Sequence, residues 1–339
     1  MVEMAVGIED GDRVGDIGLY PFGRIDTRID DEILAIDGDD ITVGLVHAHR
    51  FNFYLHHNLS LFIGMIIPMN FYKSLEHLLT IDRPSEKIGA FRDFYANYKA
   101  GGVTFEENAA LLIFSTPSYA SFCRIVPPQI VPKRRKLTTE QGKIILLHAI
   151  AHIEYSAIDL ALDHAYRFRG LPKCYYDDWL EVADDEVRHF EMLNALLEEL
   201  GAEYGDVEVH NSLFEASEKT QTLIERMAVV PRYLEANGLD ATPQVLERLE
   251  RLPGDAMLEK IKSALRTILA EEIDHVLKGD RWFSYACAEE GVSTDIFFEI
   301  IQEYYPGSFP KKQPVNVEAR RSAGFSCSEM KKILQAHQC

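Results

Sequence analysis

The sequence predicts an all-α core: a four-helix bundle with an extra N-terminal region and a C-terminal tail wrapped over it. Three observations carry that prediction. Start and stop signals over residues 138–290 mark out two pairs of long helices. The second helix of each pair holds a Glu-x-x-His word, Glu186 with His189 and Glu272 with His275. A glutamate on an apolar face, Glu154, stands on the partner of the first word. Residues three apart share one face of a helix. A bundle with one Glu on each of two helices and a Glu-x-x-His on each of the others holds two metals in its core.

Composition narrows the function classes. The 339 residues suffice for a large core in one domain or two. With 47% apolar and 26% charged residues the chain reads as soluble and globular. A formal charge of −19 argues against a polyanion binder. The run Lys133-Arg134-Arg135-Lys136 is the one local basic patch; it reads as a solvated linker and leaves nucleic acid only that narrow route. The five cysteines are odd in number, scattered and never in Cys-x-x-Cys, which excludes a rubredoxin-like iron site or a zinc ribbon and fits a reducing cytoplasm. The N-terminus has acids and no apolar core, so no signal peptide is expected. The greasiest run, Leu59 to Ile67, is too short to span a bilayer, and no membrane partner is expected.

Four regions follow in order: an N-terminal region, 1–115, of uncertain fold; a proline-rich arm, 116–137; the bundle, 138–290; and the tail, 291–339. The first region shows short alternating pieces such as Ile33-Leu34-Ala35-Ile36, then an aromatic stretch with His47, His49, His56 and His57, which lacks partners at ligand spacing. Residues 73–100 look helical with a break at Pro84, and Gly101-Gly102 turns. Prolines 117, 127, 128 and 132 forbid a regular helix in the arm. Thr138, with Gln141 three residues on, predicts the capping box that opens the first bundle helix, which ends at Gly170. The second runs from about Tyr175 to Gly201. Residues 202–210 cross to a third helix, 212–236, with Asn237-Gly238 as its stop and Thr242-Pro243 starting a short helix. The fourth runs from Asp255 to about Ala288, and the proline-bearing tail wraps the bundle.

Within the bundle, Glu154 lies 14 residues before Phe168, near the end of the first helix, and Glu186 lies 11 after Tyr175, near the start of the second. In an antiparallel hairpin those heights are similar. Apolar neighbours such as Ile150 and Ile158 surround Glu154, and a carboxylate on such a face is costly unless paired or bound to metal. His148 and His152 point away from it and read as packing or supporting residues. The third-helix ligand is Glu235 or Glu225. Spacing to Glu272 favours Glu235, at 37 residues; height favours Glu225, because Glu235 sits three residues before Gly238. Spacing and height alone leave these two evenly matched. Carboxylates and imidazoles without thiolates suit two iron ions, or an iron/manganese pair. Asp185 and Glu271, each preceding a Glu-x-x-His glutamate, are placed to hydrogen-bond the histidines, with Arg188 pairing a nearby carboxylate.

Over residues 148–325 the chain resembles the ferritin-like family known as domain of unknown function 455. The resemblance rests on stretches 148–154, 184–190 and 230–240, on Asp178-Trp179, on Tyr204-Gly205-Asp206, on 272–276 and on Arg281-Trp282-Phe283. Leu234-Glu235-Ala236 is similar to the Glu-Ala-Arg segment that supplies a ligand in di-iron tRNA-hydroxylating monooxygenases, with Asn237 in place of the Arg. That similarity implies Glu235 as the ligand. Residues 185–189 are similar to the Asp-Glu-x-Arg-His word of di-iron oxygenases. Leu193 stands where a ribonucleotide-reductase-like radical tyrosine is expected by resemblance, which speaks against that role. The resemblance implies fold and metal, not substrate. The leading expectation is an oxidase or monooxygenase that takes dioxygen and an unknown substrate, with room for an electron-donor protein as partner. Competing expectations are iron handling, peroxide detoxification, or a metal-stabilised protein without turnover.

Overall fold

The structure, a computed structural model, describes residues 5–6, 25–29, 32–36, 68–106 and 110–335. It divides into two units, Met1–Ile67 and Pro68–Cys339. In the first, β1 (Ala5–Val6) pairs parallel with β2 (Ile25–Ile29), which pairs antiparallel with β3 (Glu32–Ile36). The alternation at 33–36 falls within β3. The four histidines from 47 to 57 and the apolar run 59–67 lie outside the described residues.

The second unit opens with β4 (Met69–Asn70), α1 (Phe71–Thr80), α2 (Pro84–Lys99) and β5 (Val103–Thr104), the two strands pairing parallel. Asn70 caps α1 by accepting from the Lys73 N–H at 2.9 Å. Pro84 begins α2, where its missing N–H has no partner to lose. The arm holds one short 3₁₀ turn, Ser118–Ser121, and an isolated bridge from Ile125 to Val209.

The bundle begins at α3 (Glu140–Arg167) and α4 (Lys173–Glu199), which pack along their whole length. The cap is Thr139 and not the expected Thr138 with Gln141. Lys136 turns at φ 53°, and the Thr139 N–H and hydroxyl both reach its carbonyl, at 2.9 and 2.8 Å. That leaves Thr139 Oγ1 to accept from Gly142 N at 3.1 Å. By length and composition α3 passes for a membrane span, yet 72% of its apolar window is buried inside the protein. It is a bundle core helix carrying Glu154, Asp159 and Asp163.

The third helix differs most from expectation. It is α5 (Ser212–Lys219), a break, α6 (Leu223–Val229), a π-helical segment Val230–Glu235, and α7 (Ala236–Glu250). Thr222 and Glu225 form a capping box after the break. The helix does not stop at Gly238, and Pro243 lies inside α7 instead of starting a helix. Tertiary contacts outweigh the local signals: Asp240 accepts from Arg320 at 2.7 and 2.9 Å and from the Asn316 N–H at 3.0 Å, which pins α7 in helical form. The last bundle helix, α8 (Ala256–Glu290), is capped by Asp255, which accepts from Leu258 N at 2.8 Å, and ends at Gly291 with φ 68°. Then α9 (Ile296–Tyr304), α10 (Val317–Ser322) and α11 (Cys327–Leu334) cover it, burying Phe297, Phe325 and Met330. The core is a ferritin-like four-helix bundle with further helices before and after it.

Candidate metal centre

Each bundle helix sends a carboxylate inward. Glu154 comes from α3, Glu186 and His189 from α4, Glu235 from the end of the π segment, and Glu272 and His275 from α8. Glu154, Glu186 and His189 are buried, and with Glu272 they bring ligand atoms within 4.8 Å of one another. His189 Nδ1 lies 3.3 Å from Glu154 Oε2, 3.4 Å from Glu186 Oε2 and 3.9 Å from Glu272 Oε1. His275 Nδ1 lies 3.1 Å from Glu186 Oε1 and 3.5 Å from Glu272 Oε1. Glu186 therefore offers one oxygen to each histidine, and Glu272 faces both.

Glu235 is half-buried as a residue, but its Oε2 is sealed from solvent and lacks a hydrogen-bond partner. The charges acting on it are Glu272, Glu186 and His275. It thus stands on the His275 side as Glu154 stands on the His189 side. Glu225, the competing residue, is spent elsewhere: its Oε2 accepts from Thr222 N at 3.0 Å at the start of α6.

The outer nitrogens of the two histidines are bound crosswise. His189 Nε2 meets Glu271 Oε2 at 2.6 Å, and His275 Nε2 meets Asp185 Oδ2 at 3.2 Å. Each helix supplies the carboxylate that orients the other helix's histidine. Arg188 joins the pair, contacting Asp185 and reaching Glu271 Oε2 at 3.1 Å. With Nε2–H held outward, each Nδ1 faces the carboxylates.

Electrostatics show a cluster short of cations. Burial, and then the charge of Glu186, raises Glu154 well above the usual carboxylate range. Burial, then Glu272 and Glu186, pushes Glu235 up to about 8. Burial alone would lower His189, but the close carboxylates of Glu154 and Glu186 raise it to about 11. Burial would raise Glu186; its contacts with His189 and His275 outweigh that and hold it low. Four inward atoms, Glu186 Oε2, His189 Nδ1, Glu235 Oε2 and His275 Nδ1, are buried without hydrogen-bond geometry to any partner. Buried polar atoms are ordinarily satisfied, so four orphans facing one another fit a metal-binding donor set.

His148 and His152 lie off the centre. His148 Nε2 accepts from Gly205 N at 2.8 Å, while His152 contacts the Tyr204 hydroxyl and the His210 carbonyl, both at 2.9 Å. They fasten the 202–210 crossover to α3, and burial pushes both down to about 4. Sequence reading missed Arg232. Its buried guanidinium binds Asp280 and Glu329, at 2.7 and 2.8 Å, and clamps the π segment to α8 and the tail. An arginine inside the 230–240 stretch was the one available signal.

Fold and cluster together define a ferritin-like helical bundle whose buried carboxylates and histidine are placed to chelate metal, consistent with a non-haem di-metal centre. The chain belongs to the family described as protein of unknown function DUF455, which matches residues 80–331. It is 36% identical over 280 residues to an uncharacterized protein of Haemophilus influenzae, covering 79% of this chain and 95% of that one. No solved structure matches the chain.

Proposed function

We propose that this is a non-haem di-iron carboxylate protein, holding two irons or an iron/manganese pair, and that it is an oxidase or monooxygenase. The orphaned inward atoms carry this reading. Glu154, Glu186, His189, Glu235, Glu272 and His275 would hold the metals. Four carboxylates and two neutral imidazoles balance two divalent cations, and the absence of thiolate favours iron or manganese over zinc. When bound, reduced metals of this kind supply electrons and open positions for dioxygen. The chain's own part is to fix the donors and keep the centre dry. Glu271 and Asp185 hold the imidazoles, and Arg188 ties those two acids together. Elemental analysis after anaerobic ferrous loading, followed by oxygen uptake of the reduced protein with cell extract, tests it. Absence of bound iron overturns the metal assignment; iron without oxygen uptake leaves only storage or structure.

The third-helix assignment has its own test. Glu235→Ala is expected to weaken one metal, while Glu225→Ala leaves both bound. The latter instead removes the Glu225 half of the capping box, leaving the Thr222 cap in place, and lowers stability modestly. Metal loss in Glu225→Ala and not in Glu235→Ala would reverse the choice.

Acidity gives a second check. In the metal-free protein His189 holds its proton to about 11 against 6.5 for an ordinary histidine, and Glu235 to about 8 against 4.5. Both are raised, so their contribution is full below the ordinary value and is lost as pH rises through the folded one. Metal-free protein should therefore lose stability across pH 4.5–8 from Glu235 and 6.5–11 from His189. Metal displaces those protons, so its affinity rises over the same range. Melting curves with and without metal should diverge as pH increases; parallel curves would sink the assignment.

A further inference from the structure

A cleft of about 490 Å³ lies between α7, the start of α3 with its arm, and the tail, and its walls include Arg134, Arg248, Lys311 and Gln244. The chain as a whole carries −19, so a concavity walled by cations runs against its general charge. Arg248 Nη2 donates to the Arg134 carbonyl at 3.3 Å, which places the two arginines on one rim. Among the described residues neither guanidinium has a carboxylate within ion-pair distance, although most arginines of this chain do. The acid in the cleft, Asp240, is already committed to Arg320 at 2.7 Å and Lys311 at 3.1 Å. Three cations of the lining, Arg134, Arg248 and Lys311, therefore share the cleft with one carboxylate that is already paired. The positive field extends outward: after burial, Arg134 is the charge that lowers His210.

Like charges gathered without counter-ions cost folding energy unless a ligand neutralises them. Guanidinium forks match the oxygens of phosphate in bidentate fashion. The size suits a small molecule, since ligand pockets run about 300–1,000 Å³. The chain's net charge of −19 disfavours an extended polyanion, although Lys133, Arg135 and Lys136 flank Arg134. We propose that this cleft binds the phosphate of a small phosphorylated molecule, with Arg134 and Arg248 as its principal contacts and Lys311 behind them. This site stands apart from the metal centre, although both draw on the helical run 230–250.

The test uses the full chain and inorganic phosphate and pyrophosphate, titrated calorimetrically at constant ionic strength, with citrate and a short single-stranded RNA as comparison probes. Saturable binding of pyrophosphate or phosphate is expected, weakened at least about tenfold in the double variant Arg134→Gln/Arg248→Gln. Both side chains are exposed, so the variant should keep its helicity and its melting temperature, which circular dichroism checks. No saturable binding, or binding that the double variant retains, overturns the proposal. Citrate binding tighter than both phosphates would overturn the phosphate assignment, and tighter RNA binding through the same arginines would overturn the small-molecule one. The titration needs neither metal nor oxygen, so its failure cannot be confused with failure of the metal reading.

Discussion

Glu186→Gln is expected to abolish paired metal binding. Glu186 is 1% exposed and sends one oxygen toward each histidine, so both halves of the centre depend on it. Loss of a carboxylate that merely orients a ligand costs roughly 10–100-fold in affinity. Removing the shared carboxylate should exceed that for both metals. The amide keeps the shape and limits the packing change, so circular dichroism should be unaltered while iron per chain after ferrous loading falls. Wild-type iron content in Glu186→Gln would show that the metals sit elsewhere or not at all.

The largest stability effect is expected at Arg226→Met. This fully buried guanidinium donates to Asp163 at 2.6 Å, to Thr220 Oγ1 at 2.8 Å and to the Thr220 carbonyl at 3.1 Å. It ties the break between α5 and α6 to α3, and so sets where the third helix starts. Asp163 is left with Arg167 alone, and the carbonyls lose their donors. Breaking such a buried pair costs about 3–5 kcal/mol. Denaturant unfolding should show that loss, and the double variant Arg226→Met/Asp163→Leu should recover part of it, because no unpaired charge remains. A loss below about 1 kcal/mol would mean that water already reaches the pair.

Three of the four bundle helices were legible because their ends carry chemistry that acts locally. Gly170 and Gly201 take positive φ just beyond helix ends, and Asp255 caps where it stands, while the last helix runs two residues past the expected Ala288 to its Gly291 cap. The third helix was not legible, because what keeps it helical past Gly238 and through Pro243 is Asp240 gripped by Arg320, eighty residues away. The cap one residue from its expected place has a local cause instead, the left-handed turn at Lys136. At the centre, the two Glu-x-x-His words announced which residue types meet. They could not announce the crosswise pairing of Glu271 with His189 and Asp185 with His275, since that depends on the relative rotation of α4 and α8. The height argument that set Glu225 against Glu235 assumed a regular helix that ended early, and the chain has neither property.

The π segment Val230–Glu235 has a consequence for how this chain tolerates change in length. Each π turn accommodates a residue more than the α turn it replaces. Excising one residue there would leave a continuous helix, yet everything beyond would swing by about 100° around the axis. Asp240 would leave Arg320, and Arg248 would leave Arg134, although no contact of theirs had been touched. Gly279 shows how tightly the bulge is seated, since a Cβ there would come within 2.3 Å of Pro231. The helix behaves as a shaft with a fixed angular offset between its two ends, so Glu235 and the distal Arg248 can only be inherited in phase.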